Sequence, residues 1–243
     1  MKHLKTTAVV LRRVNYGEAD RILTLLTPDF GKIALFAKGV RRLKSKLAGG
    51  IELMSESEIS FIEGRTGMGT LVSTRLIRHF SYCAGDLSRM TIAARLLRRI
   101  DALTEERTSS EFYELTLEYL RALNTPRLDA ALVNAWGTLR LLVLLGEGIN
   151  LEDDVDGNPF REGSCYSFSF EHGRFVHDPR GDIPSQVIKL CRLMGVRPIE
   201  KLAGVRDASL YALRAEQLMD AIFRYNRPTT EVDRSGRQGD FLA

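Results

Sequence analysis

Cysteine is scarce in this 243-residue chain: there are three, Cys83, Cys165 and Cys191, and no two are spaced Cys-x-x-Cys. An odd number without that spacing argues against a disulfide framework and fits a reducing compartment. Long apolar runs are missing too. None exceeds Leu141–Leu145, whereas a membrane-spanning helix needs about 20 residues. The opening Met1-Lys2-His3-Leu4-Lys5-Thr6-Thr7 holds no apolar stretch of signal-peptide length, so a soluble, cytoplasmic protein is expected. Signatures of common catalysis are absent: no Gly-x-x-x-x-Gly-Lys-Ser/Thr loop for ATP, no Gly-x-Ser-x-Gly elbow, no His-Glu-x-x-His. There is no internal repeat. No enzymatic activity and no cofactor are therefore expected.

What is present suits a globular protein. The chain is 44% hydrophobic and 27% charged, enough for one compact domain or two small ones and too apolar for disorder. The net charge of +4 is unevenly spread. Residues 1–80 hold 14 Lys/Arg against 7 Asp/Glu, a net +7, and the other 163 residues hold 21 against 24, a net −3. A basic first third on a mildly acidic body implies a localised anion-binding face. Its densest part is Lys38-Gly39-Val40-Arg41-Arg42-Leu43-Lys44-Ser45-Lys46, five cations in nine residues with no acid among them.

The first 80 residues read as β structure. Leu4–Val14 is rich in β-branched residues and Arg21–Thr27 is a second such run. Pro28-Asp29-Phe30-Gly31 is turn chemistry, leading into a third strand over Lys32–Lys38. A fourth strand is expected over Ile51–Ile62 and a fifth over Thr70–His79, separated by Gly64, Gly67 and Gly69. Five short strands in about 80 residues suggest a small antiparallel barrel, for which the OB fold has the right strand count. Spacing alone leaves an SH3-like barrel open beside it.

After Phe80 the period becomes helical. Leu87, Met90, Ala93/Ala94, Leu97 and Ile100 recur at three- and four-residue steps over Asp86–Leu103. Thr108-Ser109-Ser110-Glu111 has the capping-box pattern and opens a helix with Phe112, Leu115, Tyr119 and Leu123 on one face. Pro126 is suited to the first position of the next helix, which runs to Gly146 or Gly148 and is apolar nearly all round. Residues 150–182 form an irregular insert with a small hairpin, and helices resume over Ser185–Met194 and Asp207–Tyr225. The polar end, Asn226–Ala243, reads as a flexible tail. The expected organisation is thus α+β: a five-stranded barrel over 1–80, a helical domain over 81–225 interrupted by the insert, and a tail.

A basic barrel binds nucleic acid by joining a cationic groove to aromatic faces on which bases stack. Candidate phosphate contacts are Arg12, Arg13, Arg21, Lys38, Arg41, Arg42, Lys44 and Lys46. Arg21 follows Asp20, so an internal ion pair is its alternative role. Of the aromatics, Phe36 and Phe61 sit in alternating strand patterns and read as core, while Tyr16 falls in a loop where either role is open. No pattern reads base edges, so backbone-dominated, salt-sensitive binding is expected. Glu152, Asp153, Asp154 and Asp156 could hold Mg²⁺ as in a nuclease, against the plainer reading of a solvated acidic loop. Cys83 and Cys191, in apolar helical surroundings, read as inert core thiols.

Three segments, Tyr16-Gly17-Glu18-Ala19-Asp20-Arg21, then Thr27 with Gly31-Lys32, then Ala37-Lys38-Gly39-Val40-Arg41-Arg42, resemble the amino-terminal domain of the bacterial recombination-mediator family RecO. Leu139–Gly146 resembles that family's central helix, and the likeness runs in order over residues 5–225. It implies an OB fold, then a helical domain with a zinc-finger-like insert. Here that insert is degenerate: the family's two Cys-x-x-Cys pairs fall on Asp153-x-x-Asp156 and about His177-x-x-Arg180. Zinc prefers thiolates and an Arg cannot be a ligand, so no metal is expected, and packing of Tyr166, Phe168, Phe170 and Phe175 must hold the insert together. The resemblance further implies DNA repair in the cytoplasm, associated with the nucleoid: binding of ssDNA and dsDNA, annealing of complementary strands, and loading of the strand-exchange recombinase onto DNA coated by single-strand-binding protein (SSB). It implies RecR as a partner, and docking of the acidic SSB C-terminal tail on the helical domain, with Arg95, Arg98, Arg99 and Arg140 as candidates for the pocket's rim. Two other readings stand beside it: a metal-dependent nucleic-acid-processing enzyme using the barrel as a binding module, and an RNA-binding barrel protein.

Overall fold

The computed structural model describes residues 2–64 and 67–227. The chain opens with β1 (His3–Tyr16), β2 (Asp20–Thr27) and β3 (Gly31–Ala37), followed after a long loop by β4 (Ser55–Ile62) and β5 (Met68–His79). The strands close on one another in the order β1-β2-β3-β5-β4. All neighbours are antiparallel except β3 and β5, which run parallel over Ala34–Phe36 and Met68–Thr70. Pleat parity places Ala8, Val10, Leu23, Leu25, Leu35, Ala37, Ile59, Phe61 and Leu71 in the barrel core. Left-handed residues shape the ends of strands. Gly31, at φ +65°, closes the β2–β3 turn, where Thr27 Oγ1 accepts from Phe30 N and donates to the Gly31 carbonyl, each at 3.0 Å. Met54, at φ +57°, bends the chain before β4, so that strand starts four residues later than the apolar run from Ile51 suggests.

Three helices belong to the same compact unit, which among the described residues ends at Asn124. They are α1 (Ser81–Gly85), α2 (Leu87–Leu103) and α3 (Ser110–Leu123). α2 packs on β1, and α3 on β1 and β2. This cover explains why the outward-facing Val9, Leu11 and Leu26 are as buried as the inward set. A polar contact fixes α3: the buried Tyr113 hydroxyl lies 3.0 Å from Thr7 Oγ1 on β1 and 3.4 Å from Glu56 Oε1 on β4. The α3 cap lies one residue beyond the expected Thr108. Ser109 Oγ accepts from Glu111 N at 3.3 Å, while Thr108 Oγ1 accepts from Glu105 N at 2.7 Å and serves the preceding turn. The compact unit therefore carries past position 80 and takes in the first helices.

The second unit begins at Thr125. Its central helix α4 spans Ala130–Leu144. It does not start at Pro126, which lies in a turn; Asp129 is the cap, accepting from Leu132 N at 2.9 Å. The insert carries β6 (Cys165–Ser169), β7 (Arg174–His177) and β8 (Ile183–Pro184) in a small sheet ordered β7-β6-β8. Helices α5 (Ser185–Val196), α6 (Ile199–Leu202) and α7 (Ala208–Tyr225) follow, with α4, α5 and α7 packed together. Trp136 and Leu141 of α4 and Met219 of α7 are fully buried. Of the expected tail, Asn226 and Arg227 are anchored to Glu147, Arg227 through a two-pronged pair at 2.6 and 2.8 Å; residues 228–243 lie outside those described.

Candidate nucleic-acid interface

The basic segment Lys38–Lys46 is not a strand. It is a run of turns that leaves β3 and crosses one end of the barrel. Val40, Leu47 and Ile51 drop into the barrel core and anchor it, while Lys38, Arg41, Arg42, Lys44 and Lys46 all stay exposed. None of these five makes an ion pair among the described residues. Both ends of the segment are tied. At the start, the Gly39 N–H donates to Asp20 Oδ1 at 2.6 Å, the Arg41 N–H to the Ala19 carbonyl at 2.9 Å, and Arg41 Nη1 to the Gly17 carbonyl at 3.3 Å. Beyond the far end, where the chain returns to the barrel, Thr74 Oγ1 of β5 donates to the Gly50 carbonyl at 3.1 Å. A Cβ on Gly50 would lie 1.8 Å from that Oγ1, so only glycine allows the approach.

The remaining nominated cations divide by pleat parity. Arg13 is opposite Leu23 and Arg21 opposite Asn15, on the inward-facing side of β1 and β2 at the barrel end. Arg13 is ion-paired with Glu52, and Arg21 Nε donates to Asn15 Oδ1 at 3.0 Å. Partial burial, then repulsion from Arg13 and Arg41, pulls the Arg21 pKa below its usual value, against the attraction of Glu52. Arg21 remains a cation, but its charge is poorly compensated. Asp20 binds backbone instead, so the internal pair given as the alternative role of Arg21 is not formed. Arg12 faces outward and lies 3.4 Å from Asp101 of α2, a carboxylate also 3.4 Å from Lys32 Nζ. Of the eight nominated residues, Arg12 and Arg13 are thus ion-paired, Arg21 is held by a neutral amide with its charge uncompensated, and the five loop cations are exposed without an ion pair among the described residues.

Beside the loop lies an apolar strip on the outer wall. Val14 pairs with Ile22 and Ile22 with Phe36 along the ladders, and Tyr16 meets Phe36 edge-on with centroids 5.5 Å apart. Tyr16 is 56% exposed. Phe61 is buried in the core, as its alternation suggests, but Phe36 is only half-buried because its parity opposes that of Leu35 and Ala37. The sequence reading missed Asp20 and Asn15 as organisers of this end. Their signal, two short polar side chains flanking a glycine turn, is common to most hairpins.

The rim candidates fall in both units: Arg95, Arg98 and Arg99 on α2, Arg140 on α4. Arg95 and Arg98 are half-buried, Arg99 is buried and Arg140 is exposed. In the insert, aromatics form a continuous cluster: Phe160 meets Tyr166 and Phe175, Phe168 meets Phe170 and Phe175, and Phe170 meets Tyr225 of α7. Asp153 is ion-paired with Arg174. Asp154 is buried and accepts from Asn158 N at 2.8 Å and Asp156 N at 3.0 Å, closing its own loop. Among the described residues no three His, Cys, Asp or Glu side chains converge as a metal site. Nor is any described helix long and apolar enough to cross a membrane.

Comparison with known proteins gives two family matches that together span most of the chain. Residues 1–80 match the family "Recombination protein O N terminal" and residues 84–226 the family "Recombination protein O C terminal". A protein of Listeria monocytogenes named DNA repair protein RecO is 28% identical over 211 residues, covering 83% of this chain and 80% of that protein. Proteins of the same name from Acetivibrio thermocellus and Heliobacterium modesticaldum are 37% and 33% identical over 148 and 146 residues, each covering 60% of this chain and 58% and 52% of the respective proteins.

Proposed function

The chain belongs to the RecO family, and on that premise we propose that it is a DNA-binding recombination mediator in DNA repair, acting without catalysis of its own. In this reading it binds ssDNA and dsDNA, anneals complementary strands, and helps load the strand-exchange recombinase onto SSB-coated ssDNA. The observation that carries the reading is the tethered loop of five exposed, unpaired cations beside the exposed ring of Tyr16. Unpaired cations held in place exchange counterions for phosphates. Facing two strands at once, such a surface lowers the repulsion between their backbones. We read the barrel as an OB fold, which the five-strand order with its parallel β3–β5 closure supports.

Residues 1–80 are then the DNA-binding domain and 81–225 the helical domain, whose insert is a zinc-finger-like module held by aromatic packing. RecR and the SSB C-terminal tail are the protein partners, the tail docking near Arg95, Arg98, Arg99 or Arg140. The site of action is the cytoplasmic nucleoid. Asp153 and Asp154 serve Arg174 and the loop's own amides, which favours a mediator over a metal-dependent nuclease.

The test is fluorescence-detected annealing of two complementary oligonucleotides without ATP or metal, comparing wild type with Arg41→Ala/Arg42→Ala/Lys44→Ala/Lys46→Ala. Rapid annealing that is lost in a folded variant supports the proposal. A wild type that binds but does not anneal overturns the annealing role. DNA cleavage that requires a divalent cation and is abolished by Asp153→Ala/Asp156→Ala would establish the enzyme instead, and preference for RNA over a matched DNA strand would establish an RNA-binding protein.

A further inference from the structure

Asp20 is an acid placed among cations. Next to it at the start of β2, and in the adjoining loop, lie Arg21, Lys38, Arg41 and Arg42, yet it forms no ion pair among the described residues. Its carboxylate instead accepts a short 2.6 Å hydrogen bond from the Gly39 backbone N–H. Gly39 is in the left-handed region at φ +65°, which turns the chain out of β3 and into the basic loop. The next contact along, Arg41 N to the Ala19 carbonyl at 2.9 Å, comes from the residue before Asp20. The β1–β2 turn therefore grips the root of the basic loop at two consecutive points. For a surface that attracts polyanions by charge alone, a carboxylate there is a defect, since it subtracts from the positive potential.

We propose that Asp20 is a positioning residue of the DNA interface: by accepting the Gly39 N–H it holds the loop bearing Lys38, Arg41, Arg42, Lys44 and Lys46 in one conformation before DNA arrives. The inference rests on the DNA-binding reading above and extends it to a residue that need not touch DNA. A held loop meets phosphate without first losing backbone freedom. A loose one has the same cations and releases the same counterions, but binds more weakly by the ordering cost, about tenfold for each backbone residue that must be fixed. Charge and order thus act in opposite directions at one side chain.

The test uses the full chain with Asp20→Ala and Asp20→Asn. Three readouts are taken: the Kd for a fluorescent oligo(dT), the slope of log K against log[KCl], and the rate of tryptic cleavage within residues 38–46. A charge-only account predicts that both variants bind tighter than wild type. Positioning predicts that Asp20→Ala binds about tenfold weaker with an unchanged salt slope, and is cut faster in the loop. Asn keeps the acceptor oxygen, so Asp20→Asn should restore affinity and protease resistance. Asp20→Ala binding as tightly as wild type, or Asp20→Asn failing to rescue, overturns the proposal. If Asp20→Ala does not fold, Asp20→Ser takes its place, its hydroxyl being one atom too short to reach Gly39. The tryptic readout needs no DNA. A wild type with no salt-dependent binding would therefore sink the DNA reading while the loop clamp is still judged on its own.

Discussion

The eight basic residues nominated from sequence should separate into two energetic classes, because the structure gives them different partners. Lys38, Arg41, Arg42, Lys44 and Lys46 are exposed and unpaired among the described residues, while Arg13 already neutralises Glu52. A cation that releases a counterion on binding single strands contributes about −0.7 to the slope of log K against log[salt]. Removing Arg41, Arg42, Lys44 and Lys46 together should make that slope shallower by up to about 2.8. Between about 50 and 200 mM KCl, wild type would then lose about 50-fold more affinity than the variant does. Arg13→Ala should leave the slope unchanged, since in the free protein Arg13 has a carboxylate beside it rather than a mobile anion. It also leaves Glu52 uncompensated, so a modest uniform loss of affinity is expected. The assay is fluorescence anisotropy of a labelled oligo(dT) over five KCl concentrations, with circular dichroism confirming that each variant is folded. A slope that does not change in the fourfold variant, or that changes as much for Arg13→Ala as for a loop cation, refutes the division.

Three further outcomes follow from the packing. Gly31→Ala should cost at least about 2 kcal/mol in urea unfolding, since left-handed backbone alone costs about 1–2 kcal/mol for a residue with a Cβ and the new atom would lie 2.4 Å from Thr108 N. Gly17→Ala, also left-handed but with nothing within 4 Å, should cost only the backbone part, and equal losses would refute the close approach. Tyr113→Phe should cost about 1–2 kcal/mol by removing the hydroxyl that Thr7 and Glu56 share, and a neutral result would show that α3 docks by apolar contact alone. At pH 8 a thiol reagent should titrate only Cys165 in the native chain and all three cysteines in urea. Burial pushes the Cys83 thiol up to about 11 and Cys191 to about 12. The fold therefore holds those protons more tightly than the unfolded chain does. Stability from this source is whole below the ordinary thiol range and declines as pH climbs through about 9 toward 11, so the urea midpoint should fall over that interval. A flat midpoint would refute the burial of these thiols.

The barrel strands were legible because their signals are local: a β-branched run, a Pro-Asp-Phe-Gly turn, a glycine cluster. A barrel was expected from their number, but not which strands close it or that one pairing is parallel. The parallel pairing of β3 with β5 joins Ala34 to Met68 across the whole basic loop and β4, and such a contact leaves no period in either partner. Cover by α2 and α3 also buries Val9, Leu11 and Leu26 on the outward face, which erases the alternation that would have marked the inside of β1 and β2. The start of β4 depends on one left-handed methionine, a conformation that propensity disfavours and tertiary contacts impose. The same division between local and distant information runs through the site. Charge density is a property of neighbours in sequence, so Lys38–Lys46 stood out at once. Pairing is not: Arg12 and Arg13 are adjacent and chemically identical, yet pleat parity sends one to Asp101 and the other to Glu52. Asp20 was the hardest to see. In composition it only dilutes a basic segment, and its role appears when the start of β2 is folded against Gly39. A basic loop can be found by counting charges, but whether it is ordered depends on an acceptor elsewhere in the chain. The Asp20 variants separate these two properties because Asp20→Ala removes the acceptor that orders the loop, Asp20→Asn keeps it, and every cation in the loop stays in place in both.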